Sequence, residues 1–390
     1  MSKPQPGHNL HVLTLTPFYP RASDDGAGCF VYDPLSWLAR LGIRHTVFAI
    51  QPFYRGKARS EALQIPARWF RYFSLPRGVG LPTAGVFAFA QIVGQVRSLH
   101  EHQPIDIIHA HGALPCGHAA MLLSRELQIP FVVSVHGLDV FSTVQVGGYS
   151  GKWCRRISAR TYSASRRVIC ISERVREEVL QGLGRNCRTS VVYNGVDPDL
   201  FCPVPNLSSD EMIVLSVGNL IPVKGHEVLM RSVASLQGEF QKLVLEIIGS
   251  GPEGQRLQTL AERLGIAARV RFLGVQPRKR VAAAMQRCAV FALPSRYEGL
   301  GCVYLEAMSS AKPAVGCRGQ GIAEIIQQGL NGFLVGPDNE KELSLVLSLL
   351  LRDENRRRNL GVAARDTILD RFTLAHQADR LARIYRECVE

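Results

Sequence analysis

The sequence predicts an α/β protein built from two doubly wound domains, and three observations predict it. The chain is 390 residues long, too long for one hydrophobic core of ordinary size. Short apolar runs of strand length alternate with longer segments of helical period. That alternation stops near residue 194 and restarts near residue 212, so two units joined by one linker are expected.

The elements follow in order. Residues 10–14 form a first apolar strand, residues 30–41 have helical spacing, and strand-like runs recur at 46–50, 105–109, 131–135 and 168–171. Phe131-Val132-Val133-Ser134-Val135 is apolar at consecutive rather than alternate positions, as in a parallel strand buried on both faces. Residues 81–96 are apolar and helical, but Pro82, Gln91 and Gln95 interrupt them. They fall short of the roughly 20 residues that cross a bilayer, so a core helix is expected. Asn194-Gly195-Val196-Asp197-Pro198, then Pro203, Pro205 and the polar run 206–211, break the rhythm. Beyond them strands are expected at 212–217, 243–248, 270–273, 290–293 and 313–316, and helices at 226–236, 255–264, 280–287 and 303–309. Two such domains put the carboxyl ends of two sheets across a cleft, where ligands bind in sheets of this kind.

Composition excludes several classes. Hydrophobic residues at 46% and charged residues at 20% rule out a disordered polymer, a collagen and a coiled-coil rod. The 10 cysteines include no Cys-x-x-Cys pair, so neither a zinc module nor a disulfide framework is expected. Reduced thiols, and a polar N-terminus without the pattern of a secretory signal, point to a cytoplasmic protein. The formal charge is +13, and it is unevenly spread: residues 1–195 hold 22 Lys and Arg against 11 Asp and Glu, residues 196–390 hold 24 against 22. Two stretches concentrate the excess. In residues 55–77, Trp69, Phe70, Tyr72 and Phe73 interleave with Arg68 and Arg71, and residues 152–167 carry five arginines. Basic residues mixed with aromatics suit an anionic lipid surface, although a solvated basic face has the same composition. No helix-turn-helix, RNP-like or finger motif accompanies the charge, so no nucleic-acid partner is expected.

Four places carry chemistry. The first strand runs into Thr16-Pro17-Phe18-Tyr19-Pro20 and then Asp24-Asp25-Gly26-Ala27-Gly28-Cys29-Phe30. A glycine-bearing loop that opens a helix can hand its amides to an anion, and a plain tight turn uses the same residues. The loop lacks the third glycine of a dinucleotide fingerprint, which argues against a nicotinamide-dependent dehydrogenase. Strand ends then bring His109-Ala110-His111-Gly112 and Val135-His136-Gly137-Leu138-Asp139. No carboxylate or cysteine at ligand spacing joins the His-x-His pair, so no metal is expected there. A hydrogen-bonded place at a strand end suits any one of these histidines. His136 stands out, because Gly137 leaves room for a ligand and Asp139 is placed to orient the ring.

In the second half, Val217-Gly218-Asn219-Leu220 leads to Lys224-Gly225. A lysine at a helix start can neutralise a phosphate as a point charge, whereas an isolated Lys-Gly is a surface turn. Pro294-Ser295-Arg296-Tyr297-Glu298-Gly299-Leu300-Gly301-Cys302-Val303-Tyr304-Leu305-Glu306-Ala307 supplies its company. A strand ends, a glycine-rich turn follows, and a helix starts with free amides and the positive end of its dipole. A carboxylate accepts hydrogen bonds from two vicinal hydroxyls. Glu298 before that start and Glu306 inside the helix therefore suit a sugar, a diphosphate and a ribose in line.

Taken together these pieces resemble a family 4 retaining glycosyltransferase of the GT-B fold, in which two Rossmann-like domains face each other across a cleft. The matching residues come in the family's order: Gly26-Ala27-Gly28, His136-Gly137-Leu138-Asp139, Asn194-Gly195-Val196-Asp197, Val217-Gly218-Asn219-Leu220 with Lys224-Gly225, Gly249-Ser250-Gly251-Pro252, and Glu298 with Glu306. The resemblance implies an acceptor-binding domain at 1–195, a nucleotide-sugar domain at 196–370, and a terminal helix at 371–390 packing back on the first domain. It implies that Lys224 binds the donor diphosphate, with Gly28, Gly218, Asn219 and the Leu300 and Gly301 amides around the phosphates. Glu298 would hold the transferred sugar, Glu306 the ribose, and His136 would line the sugar pocket. It also implies a metal-independent, cofactor-free reaction that retains anomeric configuration. The partners would be a nucleotide sugar and a sugar or lipid-linked acceptor, at a cytoplasmic site or on the inner face of a membrane. Many relatives carry an arginine where this chain has Asn219, and Arg318 is a candidate substitute. A sugar-nucleotide epimerase on the same plan and a non-catalytic sugar-binding protein are the alternative readings.

Overall fold

The structure is a computed structural model that describes residues 9–22, 25–55, 63–76, 78–140, 146–183, 187–204 and 210–390. Asp24, residues 56–62 and 77 of the basic stretch, and Pro205 with most of the polar run 206–211 lie outside the described residues. The chain divides into two compact units, Met1–Tyr193 with Leu374–Glu390 and Asn194–Thr373. The boundaries expected at 195/196 and 370/371 thus fall at 193/194 and 373/374.

In the first unit seven strands form one sheet: β1 (His11–Thr16), β2 (Arg44–Pro52), β3 (Ala67–Tyr72), β4 (Ile107–His111), β5 (Phe131–Val135), β6 (Arg167–Cys170) and β7 (Thr189–Val191). They run in the order 3-2-1-4-5-6-7, every neighbouring pair parallel. The connecting helices are α1 (Cys29–Arg40), α2 (Leu81–His102), α3 (His118–Leu127), α4 (Gly148–Ala164) and α5 (Glu173–Leu183). Helices on both faces hide β1, β4 and β5 at every position, which is why these strands read as continuous apolar runs. α1 buries Val31, Pro34, Leu35 and Leu38, the i, i+3, i+4, i+7 stripe of a helix lying on a sheet. The strand expected at 105–109 runs two residues later, because the Asp106 carboxylate is used before it to accept the His11 amide at 2.7 Å.

The edge strand β3 changes the reading of the basic, aromatic stretch. Trp69 packs against the core under α1, Phe70 lies 4.6 Å from Phe48 between ring centroids, and Tyr72 is buried. Each alternating set of β3 thus packs an aromatic against the unit, while Arg68 and Arg71, one from each set, stay exposed. Of the four aromatics expected to face lipid, only Phe73 remains exposed.

The second unit repeats the plan with six strands, β8 (Met212–Val217), β9 (Leu243–Ile248), β10 (Val270–Gly274), β11 (Val290–Ala292), β12 (Ala314–Cys317) and β13 (Gly332–Val335), in the order 10-9-8-11-12-13. Its helices are α6 (His226–Ser235), α7 (Gly254–Arg263), α8 (Arg278–Arg287), α9 (Cys302–Ser309), α10 (Glu340–Arg352) and α11 (Glu354–Arg371). In both sheets the strand order reverses beside the first strand, between β1 and β4 and between β8 and β11. Such a reversal opens a crevice at the carboxyl ends of those strands.

The last helix, α12 (Leu374–Val389), belongs to the first unit and packs on α1. Ala378, Leu381, Ala382 and Tyr385 enter the same core cluster as Leu35 and Leu38. A fully buried leucine there contributes roughly 1.5–3 kcal/mol. All ten cysteines are free thiols. Among the described residues no helix is long and apolar enough to cross a membrane.

Candidate functional site

In the second unit, β8 ends at Val217 and a short 3₁₀ turn, Pro222–Lys224, carries the chain to α6. Gly225 adopts φ +71°, and a Cβ there would lie 2.1 Å from the Pro294 carbonyl, so the turn rests directly on the chain leaving β11. The Arg296 amide fastens the two by donating to the Val223 carbonyl at 2.8 Å. The result is a direct ion pair, Lys224 Nζ to Glu298 Oε2 at 2.5 Å, with both side chains largely shielded from water. Sequence reasoning gave these residues separate tasks and did not foresee their contact. Beneath the turn His226 is buried, its Nδ1 3.3 Å from Ser216 Oγ. Burial first, and the nearby Lys224 cation second, bring its pKa down to about 4.

Glu298 is fixed from a second side. Its amide donates to Gln320 Oε1 at 2.9 Å and its carbonyl accepts from the Gly321 amide at 3.0 Å. Gly301, at φ +84°, precedes α9, and no side chain caps that helix. The Tyr304 amide donates to the Gly301 carbonyl at 3.0 Å, and the positive end of the helix dipole at this start favours an anion. Leu300 is buried beside this start, Tyr304 is buried and donates its hydroxyl proton to the Leu293 carbonyl, and Glu306 is buried on the second turn of α9. Asn219 is exposed next to Gly218 at the end of β8. Arg318 does not take up the role suggested for it: its guanidinium binds both oxygens of Glu342, at 2.6 and 2.7 Å, and the Leu334 carbonyl at 2.9 Å.

Gly249-Ser250-Gly251-Pro252-Glu253-Gly254 follows β9 with the Gly-x-Gly-x-x-Gly spacing that the first loop lacks. Here the glycines serve close backbone packing. A Cβ on Gly249 would lie 1.9 Å from the Gly218 carbonyl oxygen and one on Gly251 would lie 2.4 Å from that of Leu220. Gly249→Ala is therefore expected to destabilise the second unit by about 2–5 kcal/mol, combining overpacking with strain at positive φ. Thermal unfolding checks it, and an unchanged midpoint would mean that the loop after β8 yields to the methyl group.

The first unit presents a chain of histidines, His109 and His111 buried and His136 half-buried. His109 and His111 are two apart on β4 and so share a face, with ring centroids 4.3 Å apart. His109 bridges Tyr385 Oη and Ser134 Oγ, each at 2.7 Å, so it is a packed core residue. His111 Nδ1 meets His136 Nε2 at 3.0 Å. Burial depresses the pKa of His136 to about 3 and that of His111 well below the ordinary value. Both rings are therefore neutral near pH 7, and one must donate while the other accepts. Asp139 does not hold the ring as expected: its Oδ1 accepts the His136 backbone amide at 2.8 Å. The carboxylate shapes the turn and His111 orients the imidazole. Burial raises the Asp139 carboxyl to about 6, against the hydrogen bonds it receives from the amides of the turn. His136 Nδ1 and Asp139 Oδ2 are buried with no partner among the described residues. Phe30 packs on the other side of His136 at 4.7 Å between centroids. Gly28 stands at the start of α1 with φ +81°, where a Cβ would lie 2.6 Å from the Tyr19 nitrogen.

With this geometry the family profile described as Glycosyltransferase Family 4 matches residues 24–200, and that described as Glycosyl transferases group 1 matches residues 202–367. The chain belongs to glycosyltransferase family 4. A GDP-mannose-dependent α-(1-6)-phosphatidylinositol monomannoside mannosyltransferase of Mycolicibacterium smegmatis is 27% identical over 325 residues, 79% of this chain and 83% of that one. A sucrose-phosphate synthase from Thermosynechococcus elongatus superposes with a TM-score of 0.77 at 20% identity, covering 97% of this glycosyltransferase and 98% of the synthase. Anabaena HepE, solved with UDP-glucose, gives a TM-score of 0.76 at 22% identity over 97% and 100% of the two chains. These likenesses show the GT-B fold.

Two residues of the glycosyltransferase's site escaped sequence reasoning, Gln320 and Tyr304. The glycines flanking Gln320 were the available signal, because a Cβ on Gly321 would lie 1.9 Å from the Gly299 carbonyl oxygen. Among the described residues, no three His, Cys, Asp or Glu side chains gather as a metal site.

Proposed function

We propose that this glycosyltransferase transfers a sugar from a nucleotide-diphosphate sugar to a hydroxyl group of a sugar or lipid-linked acceptor, with retention of anomeric configuration, in glycolipid or cell-surface polysaccharide synthesis. The observation that carries the reading is the Lys224–Glu298 pair, held at the carboxyl ends of β8 and β11 beside the uncapped start of α9. The nucleotide-sugar donors named for the mannosyltransferase and for HepE support the donor class.

In this reading the donor diphosphate draws Lys224 away from the Glu298 carboxylate. The ammonium and the α9 amides then stabilise the leaving diphosphate, positive charge fixed in place before charge develops. Released from the lysine, Glu298 accepts hydrogen bonds from the hydroxyls of the transferred sugar. Glu306 serves the ribose, His136 lines the sugar pocket through its unpartnered Nδ1, and Gly28, Gly218 and Asn219 border the phosphates. No metal and no cofactor takes part. The work place is the cytoplasmic side of a membrane, reached as a peripheral protein.

A sugar-nucleotide panel scored by thermal shift and slow donor hydrolysis identifies the donor. Calorimetric titration of the matching nucleoside diphosphate then separates the two glutamates. Glu306→Ala is expected to weaken diphosphate binding by the roughly 1.5–3 kcal/mol of a charge-assisted hydrogen bond. Glu298→Ala should keep diphosphate affinity and lose turnover, because sugar positioning matters most in the transition state. Equal loss of diphosphate binding in both variants, or parental turnover by Glu298→Ala, would refute the role assignment.

A further inference from the structure

We propose that the outer face of α4, together with the groove it forms against α3, is a docking surface for the phosphate headgroups of anionic phospholipids. This deepens the peripheral placement proposed above and stands on different residues from the sugar-transfer site. α4 buries Gly151, Cys154, Ile157, Ser158, Thr161 and Tyr162. The opposite stripe, at i, i+3, i+4, i+7 and i+11, is Tyr149, Lys152, Trp153, Arg156 and Arg160, all exposed. Tyr149 is 91% exposed and Trp153 53%. From Tyr149 to Arg160 the stripe runs about 17 Å, and the helix contains no Asp or Glu.

Among the described residues the cations of this face meet no carboxylate. Lys152, Arg156 and Arg160, and Arg125 on α3, have no ion pair there, and the neighbouring Glu126 is already taken by Arg97 at 2.5 Å. The second unit treats its arginines differently. Arg256, Arg271, Arg287 and Arg318 each meet a glutamate within 2.7 Å. Four cations left together without a carboxylate call for an anion from outside the chain.

The groove narrows the kind of anion. It encloses about 720 Å³, with Arg125, Arg156 and Arg160 at its polar sites and Met121, Leu122 and Ile157 as apolar wall. A free phosphate satisfies the cations but leaves the wall wet. A phospholipid supplies the phosphate and, directly beneath it, ester and acyl carbons. Aromatic side chains settle at headgroup depth, and Lys and Arg stems lie along apolar surface with their charges in the polar layer. Tyr149 and Trp153 between the cations fit that layer, with the Lys152 ammonium 5.8 Å over the Tyr149 ring.

The test uses the full chain with phosphatidylcholine vesicles, with and without phosphatidylglycerol. Flotation should require the anionic lipid and weaken between about 0.05 and 0.3 M salt. Arg156→Glu with Arg160→Glu should bind at least about 25-fold more weakly, at roughly fivefold per basic residue lost. These are exposed positions, and an unchanged thermal midpoint checks the fold. Trp153 is the only tryptophan of the three with an exposed side chain, so binding should shift tryptophan emission to the blue, and Trp153→Phe should abolish the shift while keeping the fold. Binding to neutral vesicles as tight as to anionic ones, parental binding by the double variant, no vesicle binding at low salt, or tighter binding to single-stranded RNA than to anionic vesicles would each overturn the proposal. Donor hydrolysis without vesicles reads the sugar-transfer assignment separately. A chain that hydrolyses a nucleotide sugar but ignores anionic vesicles loses this inference alone. One that binds them through α4 but turns over no nucleotide sugar loses only the assignment above.

Discussion

Acidification to about pH 5.5 is expected to bring the first unit to the edge of unfolding while the second remains folded. His109 is buried and His45 and His136 are half-buried, their pKa values brought down to about 3 by desolvation, and buried His111 lies well below its ordinary value for the same reason. The folded-state values lie below the unfolded value of about 6.5. The unfolded chain therefore takes up protons first, and stability falls as pH drops below about 6.5. Each such histidine costs about 1.4 kcal/mol per pH unit. Four together remove on the order of 5 kcal/mol by about pH 5.5, comparable with the whole stability of many domains. Asp139 works the other way, since its carboxyl is raised to about 6, but it offsets under about 1 kcal/mol over that interval. The second unit has a single buried histidine, His226. Trp37, Trp69 and Trp153 all belong to the first unit, so tryptophan emission follows that unit alone. Emission that stays flat down to about pH 4 would show that the histidine cluster takes up protons without unfolding.

Lys224→Ala is expected to lower kcat by about 10²–10³-fold, the loss seen when one preorganised donor to a developing negative charge is removed. The same substitution leaves Glu298 as a shielded carboxylate without its counter-charge. Nucleoside diphosphate binding should weaken by about tenfold or more, because a hydrogen bond to a charged phosphate is among the strong ones. Initial rates and calorimetry on the variant check both numbers. Parental turnover would remove the lysine from the leaving-group role.

The fold was legible because its strands are buried on both faces. β5 and β9 are apolar at almost every position, and no helix of that length would be so without polar neighbours. β3 was not legible, since Arg68 and Arg71 alternate with aromatics on an edge strand and mimic an interfacial segment. The candidate site was readable where glycine and charge coincide, at Lys224-Gly225 and around Glu298. Its geometry was not, because the pairing of Lys224 with Glu298 depends on Gly225 allowing two loops 70 residues apart in sequence to touch. Asp139 illustrates a second limit. A carboxylate three residues from a histidine can bind its ring or its amide, and only the turn decides which.

The return of α12 to the first unit has a consequence for synthesis on the ribosome. The 180 residues of the second unit are inserted between Tyr193 and the helix that completes the first core. At ordinary elongation rates, about 10 to 40 s separate the emergence of β7 from that of Tyr385. Throughout that interval His109 has no phenol to bond, and the face of β4 and β1 that α12 covers is open to water. The later-made unit has all its strands before the earlier-made one can close, so the order of completion along this nascent chain is the reverse of the order of translation.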